Sequence, residues 1–86
     1  MTKQLNNEVR GRQTYLSKAD IKTLKEYEVH LNRAIDGYVR GIYTTDLNRL
    51  EPIYNALGQR LENRSCATCV LGMLRYLADA YFQIVN

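Results

Sequence analysis

The strongest helical pattern in this chain lies at residues 66–86, which read CATCVLGMLRYLADAYFQIVN. Apolar or small side chains recur there every three or four residues and polar ones fall on the opposite side, which is the pattern of an amphipathic α-helix. Its predicted apolar face is formed by Cys66, Cys69, Val70, Met73, Leu74, Leu77, Ala80, Tyr81 and Ile84. We expect Ser65 to be the N-cap residue of this last helix.

A long first helix is predicted from Lys18 to about Gly41 or Tyr43. Ser17 and Asp20 have the spacing of a capping box, and the flanking Leu16 and Ile21 have that of a hydrophobic staple. Apolar residues then form one broad face, in which Glu28 is the only charged side chain. The other members of this face are Leu24, Tyr27, Leu31, Ala34, Ile35, Tyr38 and Ile42.

A shorter middle helix is limited by Pro52, because proline costs about 3 kcal/mol inside a helix. We expect either a turn over residues 46–50 or a helix that begins near Pro52, with Gly58 following its last turn. No stretch alternates as a strand would. The sequence therefore predicts an all-α fold, a small three-helix domain at residues 17–86 with long first and last helices, preceded by a polar basic arm at residues 1–16.

The 86 residues carry a net charge of +3, and this charge is unevenly distributed. Residues 1–25 hold six basic and two acidic side chains, whereas the rest of the chain holds six basic and seven acidic ones. Such a field steers acidic proteins or nucleic acids toward one end of a molecule. No apolar stretch approaches the roughly 20 residues needed to cross a bilayer, and the first residues do not resemble a secretion signal, so we expect a cytoplasmic protein.

A basic stripe is predicted on the polar side of the first helix, where five cations fall within about 80° of arc. Val29 lies among them, and an apolar residue flanked by cations is typical of a protein contact. The same stripe could follow a phosphate backbone, although Glu26 and Asp36 lie beside or within it. The candidate partner-binding residues are Lys18, Lys22, Lys25, Val29, Arg33 and Arg40, with Arg10 and Arg12 on the arm.

The pair Cys66 and Cys69 admits three interpretations. Both cysteines are small apolar residues suited to the edge of a core. A CxxC pair at a helix start is also the setting in which thiols become redox-active. Finally, the pair supplies two of the four ligands of a structural zinc, which His30 and a carboxylate, or a second copy of the chain, would complete.

Catalytic patterns are scarce in this sequence. It has one histidine, no glycine-rich phosphate loop, no nucleophile elbow and no cluster of carboxylates on a predicted core face. We therefore expect a protein that is not an enzyme. We also expect it to need no cofactor, unless the cysteine pair binds zinc.

The second half of the chain, about residues 50–82, resembles small uncharacterised helical CxxC proteins of phages and mobile elements of Bacteroidetes-type bacteria. The resemblance is carried by residues 53–58, which read IYNALG, and residues 65–71, which read SCATCVL, followed by an apolar helix with late aromatic residues. It implies a virion component or a binder that inhibits a host defence or housekeeping complex. The function we expect is binding of a host protein or ribonucleoprotein in the host cytosol; the alternatives are a virion or oligomeric structural protein and an RNA- or DNA-binding protein.

Overall fold

The computed structural model describes residues 16–85, which contain four α-helices and no strand. They are α1 (Lys18–Glu26), α2 (Glu28–Ile35), α3 (Thr44–Ala56) and α4 (Ala67–Val85). The all-helical class predicted from the sequence is confirmed, but the helices number four instead of three. The arm predicted at residues 1–16 lies outside the described residues except for Leu16, whose side chain is buried with the core.

Tyr27 interrupts the long first helix that the sequence predicts. It ends α1 and precedes α2, and its backbone N–H bonds to the carbonyl of Leu24, three residues back, at 2.9 Å. No proline or glycine lies nearby to explain the break. Instead, the Tyr27 ring is buried and its hydroxyl donates to Asp46 Oδ1 of α3 at 2.7 Å. We attribute the interruption to this contact, which lies 19 residues away along the chain.

The end of α2 also differs from the prediction, because the helix stops at Ile35 and does not reach Gly41. Gly37 has a φ of 83°, a left-handed conformation that glycine adopts without strain. Its N–H bonds to the carbonyl of Ala34, and the next N–H, of Tyr38, bonds to that of Arg33. These two bonds form a Schellman motif. Gly58 closes α3 in the same way, as the sequence predicts.

The middle helix is longer than expected, because α3 begins at Thr44 and continues through Pro52. The missing proline N–H deprives the carbonyl of residue 48 of a helical partner, but both residues are exposed, so water can solvate that carbonyl. Meanwhile α3 buries Leu47, Leu50 and Ile53 on its other face. Each buried side chain contributes about 1.5 to 3 kcal/mol, which together exceeds the proline cost of about 3 kcal/mol.

The core forms where α2 packs along α4, the most extensive helix pair among the described residues. Ala34 on α2 and Ala78 on α4 are both fully buried, and small side chains of this kind allow close packing. Two positions on α4 differ from the prediction. Ala78 is absent from the predicted apolar face but is buried, and Ile84 belongs to that face but is exposed. The fully buried large side chains are Leu24, Leu31, Leu50, Met73, Leu74, Leu77 and Tyr81.

Glu28, the one charge on the predicted apolar face, has a specific partner. The hydroxyl of Tyr81, a buried residue of α4, donates to Glu28 Oε2 at 2.5 Å. The bond joins α2 to α4 and satisfies a hydroxyl that burial would otherwise leave without a partner. Burial first, and the Glu28 carboxylate second, raise the pKa of Tyr81 to about 12.

Changing Tyr81 to phenylalanine is expected to lower the free energy of unfolding by about 1 to 3 kcal/mol, because it removes a hydrogen bond to a charged group. The matched control is Tyr76→Phe, an exposed tyrosine on the same helix, for which a change within about 0.5 kcal/mol is expected. Urea unfolding followed by circular dichroism measures both. Equal losses in the two variants would contradict the role of the Glu28 bond.

The pH dependence provides a second test of the same contact. Since the pKa of Tyr81 is higher in the folded chain than its ordinary value of 10.0, its contribution is complete below pH 10 and is lost as the pH rises toward about 12. The stability difference between wild type and Tyr81→Phe should therefore shrink over that interval.

None of the helices between residues 16 and 85 combines the length and the apolar character that crossing a bilayer requires.

Candidate functional site

The first part of the predicted basic stripe lies on α1. Lys18, Lys22 and Lys25 are all exposed, and none of them forms a salt bridge or a side-chain hydrogen bond with another residue of the 16–85 range. Lys22 acts only weakly and at a distance on the carboxylate of Glu26. Among the described residues, no carboxylate therefore pairs with these three ammonium groups.

The second part of the stripe lies beyond the break at Tyr27. Val29 and Arg33 are exposed on α2, and Val29 is 60% exposed, the largest value among the large aliphatic side chains of the described helices. Arg33, like the lysines of α1, has no salt bridge within the described residues. We call Lys18, Lys22, Lys25, Val29 and Arg33 the basic face.

Arg40 does not lie on a helix with the other residues of the stripe, contrary to the prediction, and its part in partner binding stays a prediction. Since α2 ends at Ile35, Arg40 lies in the following loop, where its Nη1 donates to the Tyr38 hydroxyl at 2.7 Å and its guanidinium lies over the Tyr38 ring. The error comes from extending the helical wheel past Gly37. Arg10 and Arg12, the two candidates on the arm, lie outside the described residues.

A network of four polar side chains fixes the break in the middle of the basic face. Asp46 of α3 accepts from the Tyr27 hydroxyl and, at 2.9 Å, from the backbone N–H of Tyr43. Arg49 lies over the Tyr27 ring and forms a 3.0 Å salt bridge with Glu26. The bond from Tyr43 and then that from Tyr27 lower the pKa of Asp46 below its ordinary value. Thus α3 determines how α1 joins α2.

The two cysteines lie at the start of α4. This helix begins at Ala67, so its N-cap residue is Cys66. The sequence analysis had predicted Ser65 for this position. The sulfur of Cys66 accepts the backbone N–H of Cys69 at 3.2 Å and lies 3.3 Å from the Thr68 hydroxyl oxygen. Both cysteines are partly exposed, and Cys69 packs against the core. The pair therefore sits at the core edge with one sulfur directed at the helix N–H groups.

The two thiols have different acidities because of this arrangement. Bonds from the Cys69 thiol, the Thr68 hydroxyl and the Cys69 N–H stabilise the Cys66 thiolate and lower the pKa of Cys66 from 9.0 to about 7. The same Cys66 sulfur raises the pKa of Cys69, as do burial and the nearby Glu62 carboxylate. One thiol of the pair is thus substantially ionised at neutral pH.

His30 does not join the cysteines. Its ring lies 5.7 Å from that of Tyr27, and its buried Nδ1 has no hydrogen-bond partner among the described residues. Between residues 16 and 85, no three or more histidine, cysteine, aspartate or glutamate side chains are grouped in a way that could hold a metal ion. The zinc set of Cys66, Cys69 and His30 is therefore not assembled within the described part of one chain.

Further apolar exposure occurs near the end of α2. Ile35 is half exposed and borders an open groove of about 480 Å³ along α4, whose lining includes Ala78, Asp79 and Phe82. Val39, in the loop after α2, is partly buried and packs against the core.

Comparison with family models, curated proteins and solved structures finds no match to this chain. The resemblance to phage-encoded CxxC proteins therefore remains a hypothesis.

Proposed function

We propose that this chain is a non-enzymatic binding protein that uses its basic face to dock on an acidic surface of another protein. The observation that carries the proposal is the exposed Val29, with Lys25 four residues before it and Arg33 four residues after it, both exposed and neither with an acidic partner within residues 16–85. Core packing does not account for any residue of this face, since all five are exposed.

The composition of the face favours a protein over a nucleic acid as the partner. An apolar residue at the centre of a patch gains free energy when another apolar surface covers it, whereas phosphates contact only polar and charged groups. The cations of the basic face then raise the rate of encounter and determine the choice of partner more than they raise the affinity.

The resemblance to phage proteins supplies the kind of partner. A small binder encoded by a phage acts on a complex of its bacterial host, so we propose a host protein or ribonucleoprotein as the target and inhibition or modulation as the outcome. Binding of this type needs neither a cofactor nor a catalytic group.

Reversing two charges of the basic face tests the proposal. The Lys22→Glu/Lys25→Glu variant should bind the partner at least about tenfold more weakly, a loss of about 1.4 kcal/mol. The matched control is Arg60→Glu/Arg75→Glu, which changes the net charge by the same amount at two exposed positions outside the face. Circular dichroism checks that both variants keep their helices, because a glutamate at position 25 costs about 0.3 to 1 kcal/mol near the C-terminus of α1.

The partner is found by affinity capture from a lysate of a Bacteroidetes-type bacterium, with and without nuclease, and then purified for titration. A protein that survives nuclease, is kept by the arginine control and is lost with the lysine variant supports the proposal. Equal binding by both variants contradicts it. Recovery of nucleic acid alone, with an affinity that falls steeply with salt, would favour the RNA- or DNA-binding alternative. A concentration-dependent oligomer in light scattering would favour the structural one.

A further inference from the structure

The cysteine pair of α4 has a chemistry that the binding proposal does not use. Two thiols lie one helical turn apart, one of them at the N-cap and both accessible to solvent in part. Free cysteines are among the residues most often found fully buried. Neither thiol is, and the contacts of Cys66 are polar.

The spacing of the pair fits a disulfide. Cys66 stands at the N-cap and Cys69 in the first turn of α4, and the Cys66 sulfur lies 3.2 Å from the Cys69 backbone nitrogen. This contact places the two side chains next to each other, as a disulfide with its Cα separation of roughly 4.4 to 6.8 Å requires. Cys69 packs against the core, whereas Cys66 lies at the helix end with its sulfur in contact with polar groups.

We propose that Cys66 and Cys69 form a reversible dithiol–disulfide site that reacts with low-molecular-weight disulfides such as oxidised glutathione, with Cys66 attacking first and Cys69 closing the intrachain bond. The site is independent of the basic face, and either proposal can fail without the other.

The reaction proceeds in two balanced exchanges. The Cys66 thiolate attacks one sulfur of glutathione disulfide, so that a mixed disulfide forms and one glutathione thiolate leaves. Cys69 then releases its proton to water, and its thiolate attacks the Cys66 sulfur and expels the second glutathione. The protein dithiol is oxidised by two electrons, and the glutathione disulfide is reduced to two glutathione thiols.

The order of attack follows from the contacts of the two sulfurs. The Cys69 N–H and the Thr68 hydroxyl stabilise negative charge on Cys66, at a helix N-terminus that favours anions. Cys69 has Glu62 as its charged neighbour, which opposes ionisation. Arg64, the cation nearest to Cys66 in the sequence, forms a salt bridge with Glu51 of α3.

Mass spectrometry of the reduced full-length chain tests the proposal. Wild type, Cys66→Ser and Cys69→Ser are each mixed with oxidised glutathione at pH 7, quenched with acid at successive times and weighed intact. Wild type should lose two hydrogens per chain, Cys69→Ser should accumulate one glutathione on Cys66, and Cys66→Ser should react at least about tenfold more slowly because its remaining thiol is mostly protonated. Serine is a good N-cap residue, so the Cys66→Ser variant keeps the start of α4.

Alkylation of wild type with iodoacetamide gives a second readout, since peptide mapping distinguishes the two cysteines. Modification of Cys66 should be half-maximal near pH 7, where its thiol ionises, while that of Cys69 should require a more alkaline solution. Equal rates for the two serine variants, the reverse order, or disulfides that link only different chains would overturn the proposal. So would native mass spectrometry that shows one zinc shared by two chains, because the thiols would then be metal ligands.

Discussion

Replacing Leu77 by alanine is expected to lower the free energy of unfolding by about 3 to 5 kcal/mol. Leu77 is fully buried in α4, and its removal both loses apolar burial and leaves a cavity. A domain of this size has a total stability of about 4 to 10 kcal/mol, so the variant loses a large fraction of it. Urea unfolding followed by far-ultraviolet circular dichroism measures the change.

The matched control for Leu77 is Ile84→Ala on the same helix. Ile84 is 49% exposed, so its truncation should change stability by no more than about 1 kcal/mol. The contrast tests the face of α4 that the structure assigns to the core, because the sequence pattern alone places both side chains on it. A loss as large for Ile84 as for Leu77 would contradict the assignment.

Replacing Asp46 by alanine should cost about 2 to 3 kcal/mol. The change removes the acceptor of the Tyr43 N–H at the start of α3, a capping contribution of about 1 kcal/mol, and it leaves the Tyr27 hydroxyl without its carboxylate, which costs about 1 to 2 kcal/mol more. The control is Asp79→Ala, an exposed residue of α4 whose carboxylate bonds only to Gln83 within the described chain. Its effect should stay within about 0.5 kcal/mol.

The effect of Asp46 should depend on pH. Because its pKa in the folded chain is below the ordinary 3.8, the carboxylate contributes fully above that value, and the contribution is lost as the pH falls through the lower one. The stability difference between wild type and Asp46→Ala should therefore be constant near neutral pH and shrink in acid. A difference that is unchanged at low pH would contradict the charged bonds to Tyr43 and Tyr27.

The features that the sequence predicted correctly depend on neighbours along the chain. Ser17 caps α1, with its hydroxyl accepting the Asp20 N–H at 3.1 Å, and Gly58 closes α3. The periodicity of α4 likewise identified most of its buried face. In each case the physical cause acts over a few residues, so that a local pattern is sufficient.

The features that were missed mostly depend on contacts between distant residues. The break at Tyr27 follows from its hydrogen bond to Asp46, and Glu28 is accommodated on an apolar face because it accepts a hydrogen bond from Tyr81. The helix continues through Pro52 because the opposite face of α3 is buried. The early end of α2 is an exception, because Asp36 followed by Gly37 is a local stop signal that the apolar periodicity had outweighed. In the candidate site, the exposure of the three lysines could be predicted from the sequence. The position of Arg40 could not, because the predicted first helix was extended beyond Ile35, where α2 ends.

The break at Tyr27 gives the basic face a shape as well as a charge. Lys18, Lys22 and Lys25 belong to one helix and Val29 and Arg33 to another, and the third helix clamps the joint through Asp46. A partner that covers both parts must match the arrangement that this contact holds. A peptide with the same residues would lack Asp46, so nothing would hold the break at Tyr27, and mimicry of this surface requires α3 as well as the sequence of the face.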